Sequence, residues 1–214
     1  MSAVGESIVR EFFELHGFLV SQQRKYAVVA REKTADEEID FLVHNPHADL
    51  AAGPPANFIL TPEDLRRVAR AIVVVKPWHT ERFGPSVLSK KQLLKFVEKR
   101  SLEAADRRLG HDGPLLKLLV VPELPAGEAL KSKAIDLLRA AGVDGVIVFR
   151  TMLIELIASV EPNRNYAKSD LLQIIRLLKL YHLLKGPQLE LFGRRRKQKA
   201  EARVVKTESD SQPV

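Results

Sequence analysis

Residues 71–76 read AIVVVK. Ile72 and three successive valines leave no polar face, so a strand here has to be covered on both sides of a sheet rather than on one. Sheets covered on both faces belong to layered α/β folds. The flanking sequence agrees. Upstream, TPED at 61–64 reads as the start of a short helix, with Thr61 as cap, Pro62 at the first helical position, and Glu63 and Asp64 at the positive end of the dipole. Downstream, 116–121 reads as a second buried strand bounded by Pro114 and Pro122. A helix over 128–140, stopped by Gly142, leads to a last strand at 145–149. Strands alternating with helices predict a mostly parallel or mixed sheet.

The remaining segments extend this pattern. Over 6–16, Ile8, Phe12 and Leu15 recur at helical spacing and Gly17 supplies a stop. Residues 18–29 read as one or two β-segments. EEIDFLV at 37–43 alternates like a strand, which sets Glu38 and Asp40 on one face. The stretch 44–57, rich in Pro, Ala and Gly, predicts an exposed connection. A loop covers 78–85, and helical sequence runs over 88–109. A C-terminal helix pair, 152–160 and 168–184, is separated by EPNRNYA.

With 214 residues, 45% of them hydrophobic, the chain can fill one domain, expected over 1–186, followed by a basic, disordered tail at 187–214. There is no cysteine, which excludes disulfides, thiolate zinc sites and cysteine nucleophiles. No apolar run reaches the roughly 18–20 residues that span a bilayer, and Glu6, Arg10 and Glu11 interrupt the start where a signal peptide needs an apolar stretch. The expectation is a cytoplasmic protein with no membrane partner. The formal charge is +7. From Arg194 onward seven basic residues face three acidic ones, so residues 194–214 carry +4 of it and the rest of the chain +3. Arg194, Arg195, Arg196 and Lys197 can add salt-sensitive attraction to phosphates, although a charged solubilising terminus is the commoner explanation.

No Walker loop, GxGxxG, GxSxG or HExxH occurs, so nucleotide hydrolysis, dinucleotide redox and the common hydrolase schemes lack support. His44, His47 and Asp49 read as loop polarity rather than as a metal site. Three charged residues stand where a purely structural sequence has no need of them. Glu6 shares a helical side with Val9 and Phe13, Asp40 interrupts an apolar strand, and Lys76 closes the most hydrophobic one. Each has a bland explanation: a helix-dipole acid, a strand acid paired with a neighbouring base, and a lysine reaching solvent on its apolar stem. Their order along the elements is what lifts them.

That order, helix, strand, strand with Asp, strand ending in Lys, helix, strand, resembles the αβββαβ core of the restriction-endonuclease-like, or PD-(D/E)XK, nucleases. The opening GESIVREFFELHGF is similar to the start of Holliday-junction resolvases. The resemblance implies an α/β fold with a mixed central sheet flanked by helices, Glu6 and Asp40 as ligands of Mg²⁺ or Mn²⁺, and Lys76 as the catalytic lysine. It further implies DNA as partner and a homodimer. One departure stands out: the family's Glu-x-Lys is here Val74-Val75-Lys76, so the second strand carboxylate is missing. Glu38 or Glu81 could stand in for it, without motif support. The whole chain, through KPWHTERFGPS, DGVIVFRTMLIEL and NYAKSDLLQIIRLLKLY, is also similar to an uncharacterised bacterial family with no activity attached.

Three readings therefore stay open from sequence. One is a metal-dependent nuclease, the second a nucleic-acid-binding or regulatory module that keeps the fold without cutting, and the third a protein-interaction subunit using the C-terminal helices. Trp78 could stack on a base or plug the sheet edge. Arg164, Lys168, Arg176 and Lys179 could face phosphates if the C-terminal pair acted as a helix-turn-helix, though docking or a dimer seam fits its apolar content better.

Overall fold

The computed structural model describes residues 3–22, 39–76, 96–110 and 113–184. These form, in order, α1 (Ala3–Leu15), β1 (Leu19–Gln22), β2 (Phe41–His44), β3 (Arg70–Val75), α2 (Lys99–Leu109), β4 (Leu115–Val121), α3 (Glu128–Ala140), β5 (Gly145–Val148), α4 (Phe149–Ser159) and α5 (Asp170–Leu180). The chain is a mixed α/β protein. Its single described sheet runs β1-β2-β3-β4-β5. The first three strands form an antiparallel meander, whereas β3, β4 and β5 are parallel to one another. The parallel steps need crossovers, and α2 and α3 lie in them.

β3 is buried along its whole length, and Leu118 to Val121 of β4 likewise, as a strand covered on both faces requires. One apolar cluster joins Ile72 and Val74 of β3, Leu42 of β2, Leu119 and Val121 of β4 and Val146 of β5 to Ala105 of α2 and to Ala134 and Leu138 of α3. Asn45, inside the expected exposed connection, is buried and its Oδ1 accepts from the His47 N–H at 2.9 Å.

Two helices end as their glycines suggest. At the end of α1, Gly17 takes φ +81°, its N–H donates to the Glu14 carbonyl at 3.0 Å, and the Phe18 N–H reaches back to the Phe13 carbonyl at 3.1 Å. This is the Schellman arrangement, with its apolar contact supplied by the Phe13 and Phe18 rings, 5.2 Å apart edge to face. Gly142 does the same for α3, where Val143 N–H reaches the Leu138 carbonyl. Gly17→Ala is expected to cost about 1–2 kcal/mol, because a Cβ in the left-handed region meets the following carbonyl. Urea unfolding of the variant measures it, and an unchanged midpoint would be the contrary result.

Other boundaries moved for identifiable reasons. No α-helix follows Thr61; instead the Asp64 Oδ2 accepts from the Thr61 N–H and hydroxyl, both at 3.0 Å, and from Asn57. Burial pushes the Asp64 carboxyl up, and these hydrogen bonds outweigh it, so its pKa lies below the usual range. Only a 3₁₀ turn, Asp64–Arg67, forms there. The last helix of the sheet layer starts at Phe149, directly on β5, rather than three residues later. Ser169 caps α5, accepting from the Leu172 N–H at 3.2 Å, so the helix runs over Asp170–Leu180 rather than 168–184.

The chain divides into two compact units, Met1–Ile157 and Ala158–Val214, the division falling in the last turn of α4. Within the second, Lys179 Nζ donates to the Val160 carbonyl at 2.6 Å and Arg176 Nε to the Pro162 carbonyl at 2.8 Å. Arg164 pairs with Glu161 at 3.1 Å. Three of the four basic groups considered for phosphates are thus engaged within the unit, while Lys168 is exposed. The sequence readings at 23–38, 77–95 and 187–214 lie outside the described residues. They include Glu38, Trp78, Glu81, Arg194, Arg195, Arg196 and Lys197. No helix among the described residues is long and apolar enough to cross a membrane.

Candidate functional site

The antiparallel meander brings three chain positions to one end of the sheet. β1 arrives there at Gln22, β2 departs from there at Phe41, and β3 arrives again at Val75. Gln22 is opposite Phe41, and Phe41 opposite Val73. Adjacent strands are about 4.8 Å apart, so side chains here are near neighbours. Asp40 precedes β2, Lys76 follows β3, and Glu6 stands one helical turn into α1.

The Asp40 N–H donates to the Val73 carbonyl at 3.1 Å, and Val73 is the register partner of Phe41. Asp40 lies just outside the paired register, which begins at Phe41, and Ile39 before it joins the same buried cluster as Leu42. The Asp40 Oδ2 accepts from the Val75 N–H at 2.7 Å. That amide lies beyond the register of β2, so the carboxylate supplies an acceptor where the backbone ladder has stopped. Asp40 is 7% exposed.

Lys76 is the next residue along. Its N–H donates to the Val120 carbonyl at 2.9 Å, fixing its backbone to β4, and its side chain is half-buried. Glu6 is half-buried too, and Gln22 Nε2 donates to its Oε2 at 2.5 Å. Asp40 is therefore fastened beside Lys76, and Glu6 is fastened one strand away, to Gln22. The sequence reading missed Gln22, because a strand-end amide carries no pattern that ties it to a helix 16 positions earlier.

Val74, where the resemblance calls for an acid, is 1% exposed and packs in the apolar cluster with Leu42, Ile72 and Phe96. No carboxylate is replaced there by a nearby one among the described residues, in which no group of three or more His, Asp or Glu could hold a metal. His44, His47 and Asp49 lie toward the other end of β2. Asp49 Oδ1 accepts from the Ala52 N–H at 3.2 Å and so serves a 3₁₀ turn, whereas His44, expected in the loop, is the last residue of β2, paired with Leu19 and Arg70.

Comparison with family models, with curated proteins and with solved structures returned no match. The site is therefore argued from its own chemistry. Glu6 and Asp40 are hard oxygen donors, and Mg²⁺ is commonly held by one or two carboxylates, with water and substrate phosphate completing the shell. Such a pair suits Mg²⁺ or Mn²⁺ when phosphate is present. It is a weak site for a free ion.

Proposed function

We propose that the chain is a nuclease-like protein with a restriction-endonuclease-like core, acting on DNA phosphodiesters. The observation that carries this is made at one sheet end: the Asp40 Oδ2 accepts from the Val75 amide, directly before Lys76, and Gln22, at the end of β1, donates to Glu6. Supporting it, α1, β1, β2, β3, α2 and β4 run in the order αβββαβ. Glu6 and Asp40 would hold the divalent ion, which supplies charge neutralisation at the phosphate when bound. Lys76 presents an ammonium at the rim, where a half-buried cation favours an approaching phosphate and stabilises charge developing on it. Asp40, already bound by the Val75 amide, is held in a fixed orientation.

The test is incubation of the purified chain with plasmid, single-stranded and four-way-junction DNA in Mn²⁺. Cleavage is expected, and Asp40→Asn is expected to slow it about 100-fold or more, the scale on which one preorganised charge contributes. Lys76→Ala should act in the same direction. Cleavage that persists unchanged in Asp40→Asn would reject this assignment.

The burial of Val74 favours a second reading, a module that binds nucleic acid without cutting. Its signature is salt-sensitive DNA binding that survives Asp40→Ala, with no cleavage in Mg²⁺ or Mn²⁺.

A further inference from the structure

We propose that residues 188–192, QLELF, are a peptide ligand that fastens the chain to a partner protein bearing an apolar groove, and that this partner is one carried on DNA. Two observations support it. The first is how α5 ends. Among the described residues α5 is closed at His182, which takes φ +57°: the His182 N–H donates to the Lys179 carbonyl at 3.0 Å and the Leu183 N–H to the Leu178 carbonyl at 2.8 Å. A non-glycine residue in that region is a firm stop, so the leucines that follow do not prolong the amphipathic stripe of α5. Tyr181 and Leu183 are 70% and 69% exposed at this exit.

The second observation is the sequence beyond it. From 185 to 214 the large apolar residues are Leu189, Leu191, Phe192, Val204, Val205 and Val214. Three of these six fall within four positions, set off by Gly186-Pro187 before and Gly193 after. A terminus that only solubilises has no use for Leu-x-Leu-Phe, because each of these side chains is disfavoured in water. Short segments of this kind, few anchors in a polar surround, are ligands for preformed grooves. In an extended peptide Leu189 and Leu191 share one face and Glu190 the other. The groove accordingly needs an apolar strip for the leucines, an aromatic pocket for Phe192 and a polar rim for the Gln188 amide.

The basic run fixes the setting. Arg194 to Lys197 lie two to five positions past Phe192, at most about 7–18 Å of extended chain. A groove that holds QLELF therefore brings these four cations to whatever lies beside it, and a duplex is the partner they suit. The choice of a DNA-borne partner rests on the proposed function; the groove follows from the peptide alone.

The probe is a purified DNA sliding clamp, a ring protein that offers peptide grooves close to the duplex it encircles. Calorimetry with the full chain, without DNA or metal, is expected to give a Kd of about 1–100 µM, the range left to three anchors after an ordered peptide's entropy cost. The double variant Leu191→Ala, Phe192→Ala should weaken binding at least tenfold, and Glu190→Ala should leave it within about twofold. Asp40→Asn should bind as the parent does, so a failure of the nuclease reading leaves this result standing. No binding at 300 µM, or equal binding by the double variant, overturns the proposal. So does a lowered melting temperature of the double variant, which would mean that the segment packs on its own chain.

Discussion

Val74→Glu, the change that restores the acid of the Glu-x-Lys pattern, is expected to lower the melting temperature by about 10 °C and to restore nothing. Val74 is 1% exposed and touches a cluster made of Ile39, Leu42, Ile72, Phe96 and the inner faces of α2 and α3. The substitution places a longer side chain in a packed interior, and a carboxyl among groups that offer it no hydrogen bond. Overpacking costs about 1–3 kcal/mol, and an unsatisfied buried polar group about as much again. The sum, roughly 4 kcal/mol, corresponds to about 8–16 °C in a chain of this size. The pH dependence follows with a definite sign. Burial raises the folded-state pKa of the introduced carboxyl above its unfolded value, so the penalty is smallest below the unfolded pKa and grows as pH rises through the folded one. Melting curves of parent and variant at pH 5 and pH 8 should therefore diverge more at pH 8. Equal melting temperatures at both would mean that residue 74 reaches solvent, and that the sheet end is built differently.

This prediction also states why the nuclease resemblance reads as altered rather than merely incomplete. A lost acid at a solvent-lined position leaves a hollow that another side chain or water can serve. Here the position has been absorbed into the core, and what charge remains at the sheet end comes from Asp40 and Lys76 beside it and from Glu6 one strand away. A site of that composition depends on the phosphate to complete any metal shell, so cleavage should require higher metal concentrations than a three-carboxylate site would.

How far the sequence could have led to this point varies with the length scale of the signal. AIVVVK was readable because burial on both faces leaves a continuous apolar run, and the layered architecture follows from that run and its alternation with helices. Gly17 and Gly142 were readable because a left-handed cap selects glycine. Contacts that join distant positions left no such trace. Thr61, expected as a helix cap, instead donates to Asp64, whose carboxylate also accepts from Asn57 seven positions earlier. The pairing of Gln22 with Glu6, and the turn of Asp40 onto the Val75 amide, depend on strand register. Register is set by the whole sheet, and a seven-residue pattern does not carry it. Asp40 was singled out as a charge interrupting an apolar strand; it is buried as that reading implies, and there it accepts from the Val75 amide.

Arg70→Ala should destabilise the fold by about 3–4 kcal/mol, for reasons confined to the opposite end of β3. Arg70 opens that strand and is 3% exposed. Its guanidinium Nη1 donates to Asp106 Oδ1 at 2.8 Å and also to the Gly110 carbonyl, and Nη2 donates to the Gly113 carbonyl. One side chain thus ties the start of β3 to the end of α2 and to the approach to β4, closing the crossover that makes β3 and β4 parallel. Removing it gives up two charge-assisted hydrogen bonds to carbonyls of exposed glycines, each worth about 1 kcal/mol net of the water that replaces the guanidinium, and deletes the buried apolar stem. Asp106 is a third exposed, so its lost ion pair is largely recovered by water and adds little. The fork geometry is what matters, since an ammonium cannot reach three acceptors spread over two segments. Arg70→Lys is accordingly expected to recover less than half of the loss, and Asp106→Ala to cost less than Arg70→Ala. Urea unfolding of the three variants gives the ranking directly. If Arg70→Lys unfolded with the parent's midpoint, the guanidinium would be acting as a simple charge, and the crossover would be held by packing alone.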